Sequence, residues 1–168
     1  MKKPFIALLI GMTVTATFFV SASPANPELF QQIIPSTDTT DASGYTATHA
    51  LVISETGLKQ LLQFLTKRMQ PTDESSADML PVTVNMPGQN PLTDLMLTNM
   101  NISSVYGTAG PVMIYDITAI SISTEIEVTL KIQGDQLTTA TVTTEQKYFD
   151  ISPEFGKTYM VMKERNRL

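Results

Sequence analysis

The clearest periodic pattern in the chain predicts an amphipathic helix from Glu55 to Met69. Ser54 occupies the N-cap position, where its hydroxyl can accept a hydrogen bond from a free N–H of the first turn. Pro71 prevents the helix from continuing. Apolar residues recur at intervals of three and four, which places them on one face of an α-helix. This face carries Leu58, Leu61, Leu62, Leu65 and Met69.

After the polar loop that follows the helix, the period of the pattern changes from 3.6 to two, which predicts β-strands. The first two predicted strands are Leu80–Met86 and Leu95–Tyr106. The apolar residues of the second strand change side near Thr98–Asn99, which indicates a β-bulge. One further strand is predicted over Leu137–Ile151 and a last one over Thr158–Met162, which is expected to form a free sheet edge.

The longest run of strand-like sequence extends from Val112 to Ile132 and contains neither Gly nor Pro. Its even-numbered positions are mostly apolar, among them Ile114 and Ile120, and the odd-numbered positions of its first half are apolar as well. We therefore expect the first half to be buried on both faces and the second half on one. Its 21 residues far exceed an ordinary strand of about five or six. Either one long, curved strand or a break near Ser121–Thr124 can account for this length, and we favour the long strand.

The N-terminal sequence has the pattern of an export signal. Lys2 and Lys3 precede an apolar stretch, and small residues around Ala22 form a cleavage site, with a second possible cut after Ala25. An uncleaved membrane anchor is the alternative, although about 17 apolar residues are at the lower limit for crossing a bilayer. We expect a periplasmic or secreted protein after cleavage, and the absence of Cys favours a bacterial periplasm.

The pattern predicts three regions in the chain. Residues 1–22 are the signal peptide, and residues 23–50 are polar and Pro-containing, which predicts a flexible N-terminal arm with one turn of helix at Glu28–Ile34. Residues 51–168 are expected to form a single domain. The fold class is α+β, with one long amphipathic helix packed on a curved antiparallel β-meander of four to five strands.

The composition argues against several function classes. The 168 residues include no Cys and one His, which removes thiolate metal sites, thiol nucleophiles and sites with two histidines. The formal net charge is −5, with 16 acidic against 11 basic residues, whereas a nucleic-acid binder needs an excess of basic charge. We therefore expect no metal, no cofactor and no nucleic-acid partner.

Two residue pairs are candidates for catalysis. His49 lies five residues before Ser54 and could act as its base, but the N-cap position already explains Ser54. Glu125 and Glu127 share one face of a predicted strand, about 6–7 Å apart, which could suit acid–base chemistry on a glycoside, but we favour a solvated face. We expect neither pair to be catalytic and expect the protein not to be an enzyme.

The segment Ile53-Ser54-Glu55-Thr56-Gly57-Leu58 resembles the I-[ST]-x-x-G-[LI] helix start of the tubular lipid-binding (TULIP) superfamily. The similarity is to the single-domain periplasmic type, related to bactericidal/permeability-increasing protein. In that superfamily the helix precedes an amphipathic strand and long, strongly curved strands, so the resemblance covers about residues 51–132. This chain departs from the superfamily in lacking a second long helix after the strands, so closing a binding space would need a partner, a dimer or a shorter groove.

The resemblance implies that a lipid or another apolar ligand binds between helix and sheet. Methionine side chains adapt to irregular apolar contacts, and the eight Met that follow the signal peptide suit such a site. The alternative is a structural or assembly protein of the bacterial envelope, which acts through contacts with a protein partner or in a homodimer. The candidate ligand-binding residues are Leu58, Leu61, Leu62, Leu65, Met69, Met100, Ile114 and Ile120.

Overall fold

The computed structural model describes residues 25–35, 40–70 and 78–168, so the expected signal peptide of residues 1–22 lies outside the described residues. One helix packs on a curled antiparallel sheet of eight strands, which has the shape of a half-barrel. The α+β class and the antiparallel sheet are therefore confirmed. The expectation of four to five strands is wrong, because the residues before the helix contribute two strands and the segments Val112–Ile132 and Leu137–Ile151 each form two strands instead of one.

The strand order explains how the helix comes to lie across the sheet. The order is β1-β2-β8-β7-β6-β5-β4-β3, so the helix connects a strand near one edge with the strand at the opposite edge. In chain order the elements are β1 (Phe30–Pro35), β2 (Thr46–Ile53), α1 (Glu55–Arg68), β3 (Leu95–Gly107), β4 (Gly110–Ser121), β5 (Glu127–Gln133), β6 (Gln136–Thr143), β7 (Lys147–Pro153) and β8 (Met160–Asn166).

Strands β1 and β2 occupy the region where a flexible arm is predicted from the sequence. Strand β1 pairs with β2, and β2 pairs with β8, while Leu29 and Phe30 are fully buried. The expected helical turn at Glu28–Ile34 is wrong, because this segment is extended and gains its backbone hydrogen bonds from a strand that follows it. The domain accordingly begins well before residue 51.

The same pairing corrects the position of the sheet edge. Strand β8 was expected to be a free edge over Thr158–Met162, but it lies between β2 and β7. The edges of the described sheet are β1 and β3. The local pattern at the C-terminus could not reveal this, because the partner of β8 lies more than 100 residues earlier in the chain.

The helix matches the prediction almost residue for residue. Ser54 is the N-cap, and its Oγ accepts a hydrogen bond of 3.2 Å from the Gly57 N–H. Gly57 is buried against the backbone of Glu28, where a Cβ atom would collide with the carbonyl oxygen. The apolar face is buried against the sheet through Leu58, Leu61 and Leu65.

The long strand expected from Val112 to Ile132 is wrong. Strand β4 ends at Ser121 and β5 begins at Glu127, and the two pair as antiparallel neighbours. The turn contains no Gly, and Glu125 adopts a positive φ of 57°. Its polar groups are bonded instead by the carboxylate of Asp94, which accepts hydrogen bonds from Ser121 Oγ and the Ser123 N–H, both 2.7 Å long.

The burial of its side chains shows which side of β4 faces the helix. Tyr115, Ile117 and Ala119 are buried in the same core cluster as the helix leucines. Because side chains alternate along a strand, Ile114 and Ile120 lie on the other side of the sheet, which we call the outer side. The expected burial on both faces is therefore wrong for β4, whose even-numbered residues are only half-buried. The expected burial on one face is correct for β5, where Val128, Leu130 and Ile132 are buried.

The β-bulge predicted near Thr98–Asn99 is confirmed. Leu97 pairs with Ala119 and Asn99 with Thr118, which leaves Thr98 as the extra residue of β3. The Thr98 hydroxyl donates to the Thr118 carbonyl at 3.1 Å. One inserted residue reverses the alternation, so the apolar residues on both sides of the bulge point toward the core. These residues are Leu95, Leu97, Met100 and Ile102.

The segment predicted as strand Leu80–Met86 is not part of the eight-stranded sheet and joins its two edges instead. The Leu80 N–H donates to the Leu95 carbonyl at the start of β3. Thr83 exchanges backbone hydrogen bonds with the residues before β1, donating to Pro27 and accepting from Leu29. The half-barrel is therefore closed at one end by backbone hydrogen bonds.

Candidate functional site

A groove of about 830 Å³ lies between the helix and the turn that joins β5 to β6. Asp135 stands on the turn side, and Glu55 lies at the N-terminal end of the helix side. The groove is open to solvent along its length. The remaining lining residues belong to α1 and are Leu58, Lys59, Leu62, Gln63, Thr66 and Lys67.

The helical repeat determines the character of this groove. Leu58 and Leu62 are one turn apart at the margin of the buried stripe, and Leu62 remains half-buried. Lys59 and Lys67 lie on the polar side of the same margin, and both are exposed. They are eight residues apart, which corresponds to about 12 Å along the helix axis. An apolar floor thus lies beside two ammonium groups, and the carboxylates of Glu55 and Asp135 line the same groove.

The structure divides the eight predicted ligand-binding residues into groups. Leu58 and Leu62 line the groove, whereas Leu61 and Leu65 are fully buried in the core. At the end of the helix Met69 is 43% exposed, and its Sδ accepts a hydrogen bond of 3.5 Å from the Tyr115 hydroxyl.

The three predicted residues that belong to the sheet lie on two different sides. Met100 is half-buried and packs against the core on the helix side. Ile114 and Ile120 lie on the outer side of β4, so their assignment to the space between helix and sheet is wrong. Ile120 pairs with Met96 and Glu127, and Ile114 with Ser103 and Gln133. The apolar even-numbered positions of Val112–Ile132 therefore belong to two different strands. In β4 the odd-numbered side chains face the helix, and in β5 the even-numbered side chains do.

Several residues that line the groove were not among the predicted ligand-binding residues. Lys59 directly follows Leu58 at the margin of the apolar stripe, and Lys67 lies about two helical turns further along the same margin. That adjacency is the signal that could have identified them. Asp135 had no comparable signal, because its approach to α1 depends on the position of the β5–β6 turn within the sheet.

The two candidate catalytic pairs occupy different surroundings. His49 lies in β2 opposite Met162, and its Nδ1 is buried without a hydrogen-bond partner among the described residues. Ser54 uses its hydroxyl oxygen as the helix N-cap. Within the described part of the chain, no hydrogen bond connects the two side chains.

Glu125 and Glu127 lie in a second, polar cleft of about 460 Å³ at the β4–β5 turn. Glu145 and Arg167 line the same cleft, and the Arg167 guanidinium lies 5.6 Å from the centre of the Tyr148 ring. Among the described residues, no group of three or more His, Asp or Glu side chains is placed to hold a metal ion. The cleft is therefore lined by both acidic and basic side chains.

The carboxylates of Asp94 and Asp41 have lowered pKa values, and both belong to turns outside the groove. Hydrogen bonds from the side chains of Ser121 and Ser123 hold the pKa of Asp94 below its ordinary value. The pKa of Asp41 is lowered chiefly by the Ser43 hydroxyl, and then by the backbone N–H of Tyr45. In both turns the ionised carboxylate accepts hydrogen bonds that organise the backbone.

At 14 residues, α1 is shorter than the roughly 20 that a membrane-crossing helix needs, and no helix of the described residues meets the length and apolarity required. No protein-family model, curated protein or solved structure matches the chain.

Proposed function

We propose that the protein is an exported, non-catalytic module that binds an amphipathic lipid, such as a fatty acid, in the groove beside α1. The observation that carries this proposal is the combination of an apolar floor, formed by Leu58 and Leu62, with the ammonium groups of Lys59 and Lys67. An acyl chain would cover the leucines, and an anionic headgroup would lie near the lysines.

The dimensions of the groove support a ligand of this kind. Small-molecule sites commonly have volumes of about 300–1,000 Å³ and combine apolar walls with a few polar groups. The groove has about 830 Å³ and is open on one side, so a bound lipid would keep its headgroup in water. Because both lysines are exposed, each is expected to add only modestly to affinity.

Relationship to the TULIP superfamily and export belong to the same proposal. One helix packed on a curled antiparallel sheet supports the relationship, as does the helix start at Ser54, where Gly57 permits close approach of the backbone. The separation of β4 from β5 removes the 21-residue strand from the argument. Export rests on the sequence of residues 1–22.

The test is binding of a fluorescent fatty acid to the purified full chain. Leu62→Glu places a charge on the apolar floor and should weaken binding about tenfold or more, which corresponds to about 1.4 kcal/mol. Gln60→Glu adds the same charge on the same helix at a position that does not line the groove, and it should leave affinity unchanged. Wild-type protein that binds no fatty acid, or equal effects of both variants, would overturn the proposal.

A second pair of variants avoids any loss of packing at Leu62. Replacing Lys59 and Lys67 together by Gln should weaken binding of the fatty acid several-fold but leave binding of the corresponding fatty alcohol unchanged. The reason is that the alcohol has no charge to pair with the ammonium groups. Equal weakening of both ligands would show that the lysines do not contact a headgroup.

A further inference from the structure

Strand β3 is an edge strand with a long, unprotected segment. Its beginning is covered, because Leu80 donates to the Leu95 carbonyl and the Leu97 N–H donates to the Asp78 carbonyl. Beyond the bulge at Thr98, the segment Asn99–Gly107 pairs only with β4 within the described residues. Every second residue of such a strand directs its N–H and C=O groups away from the sheet.

The sequence of this segment lacks the usual protection of sheet edges. Natural edge strands carry charged residues, especially Lys, or Pro, because these block pairing with another chain. Asn99–Gly107 contains neither, and the uncharged sequence extends from Leu95 to Tyr115. Tyr106 is 91% exposed and Val105 is 40% exposed. The segment therefore offers both free backbone groups and apolar side chains to an extended strand.

We infer that two copies of the protein pair through β3, with Asn99–Gly107 of each chain forming a continuous antiparallel sheet across a two-fold axis. Charge favours a second copy at this place. The chain has a net charge of −5, so two copies repel each other, and an interface is least opposed where neither copy contributes charge. The neutral segment of β3 meets that condition.

The segment is also complementary to itself. An axis at Ser103, its middle residue, pairs all nine residues and places Met100 opposite Tyr106 of the second copy, twice in the dimer. Both residues point to the same side of β3, since they are separated by an even number of positions. A thioether and an aromatic ring attract each other at such distances, and pairing would cover the exposed Tyr106. This arrangement is independent of the lipid groove.

The absence of Cys from the chain allows a direct test. Ser103→Cys places a thiol on the proposed axis, where the two copies come within disulfide distance, so mild oxidation should give a covalent dimer. Thr141→Cys is the control, because Thr141 is equally exposed but lies on β6, between β5 and β7. It should give no covalent dimer beyond the level of random collision.

A second measurement uses the mass of the full chain in solution. Sedimentation should give a dimer for the wild type, and Ser103→Lys should raise the dissociation constant at least about tenfold, since two like charges would meet at the axis. Thr141→Lys should remain a dimer. A wild type that stays monomeric throughout a dilution series, a dimer that tolerates Ser103→Lys, or equal cross-linking of both cysteine variants would overturn the inference. Binding of an unrelated extended peptide to monomeric β3 would show a different occupant.

Discussion

Oδ1 of Asp94 accepts a hydrogen bond of 2.7 Å from Oγ of Ser121, which is fully buried at the end of β4. The second carboxylate oxygen accepts from the Ser123 N–H at the same distance. Thr124 donates its hydroxyl to Ser121 Oγ, which completes the network. The carboxylate of Asp94 thus accepts two hydrogen bonds from the turn between β4 and β5, which has neither Gly nor Pro.

Replacement of Asp94 should destabilise the protein by weakening this turn. In Asp94→Ala the buried Ser121 hydroxyl loses its acceptor, and such a loss costs about 1–3 kcal/mol. Urea denaturation should show this decrease in the free energy of unfolding. Glu145→Ala, which removes an exposed carboxylate near the same end of the sheet, should change the free energy by less than about 0.5 kcal/mol. Equal effects of the two substitutions would contradict the assigned role.

The contribution of Asp94 should also depend on pH. Its pKa is lowered from 3.8 in the folded state, chiefly by the hydrogen bond from Ser121. A group with a lowered folded-state pKa stabilises the protein above its unfolded pKa, and this stabilisation is lost as the pH falls through the folded value. The difference in unfolding free energy between wild type and Asp94→Asn should therefore be full near pH 7 and smaller near pH 2. A difference that stays constant with pH would rule out this linkage.

Gly57 should respond to Ala in the direction opposite to an ordinary helical glycine. Gly→Ala within a helix usually gains about 0.5–1 kcal/mol. Here a Cβ would collide with the carbonyl oxygen of Glu28, so the backbone before β1 must move away from α1. Gly57→Ala should lower the free energy of unfolding by about 1–3 kcal/mol, as measured by urea denaturation. Thr56→Ala, at an exposed position of the same turn, should be neutral or stabilising.

Features determined by neighbouring residues could be predicted from the sequence. The start of α1 follows from Ser54 and the spacing of the leucines, and the bulge at Thr98 follows from the change of side between Leu97 and Met100. Leu58 and Leu62 were predicted for the same reason, because their place at the margin of the apolar stripe depends only on the helical repeat.

Features that depend on distant contacts could not be predicted. The break after β4 depends on Asp94, 27 residues before Ser121. Strand β2 pairs with β8, at the other end of the chain. Because that partner is distant in sequence, nothing in the local pattern of residues 23–50 indicates the pairing, and the segment resembles a polar arm. The same break explains why Ile114 and Ile120 were assigned to the wrong side of the sheet. Ala119 pairs with Val128, so odd-numbered residues of β4 share the helix side with even-numbered residues of β5.

A matched pair of substitutions in β4 tests which side of this strand faces the core. Ile117 is fully buried in the core shared with α1, and Ile120 is half-buried on the outer side. Ile117→Ala should lower the free energy of unfolding by about 2–5 kcal/mol, the range for removing a fully buried aliphatic side chain. Ile120→Ala removes the same atoms from the same strand and should cost clearly less, because part of that surface is already in water.

Urea denaturation of both variants measures this difference, provided that the slope against urea concentration stays unchanged. A continuous strand with its even positions facing the core would give the reverse order, with Ile120→Ala the more damaging substitution. Equal losses would mean that both sides of β4 are similarly covered. The order of the two values therefore distinguishes the turn fastened by Asp94 from the long strand that the sequence favours.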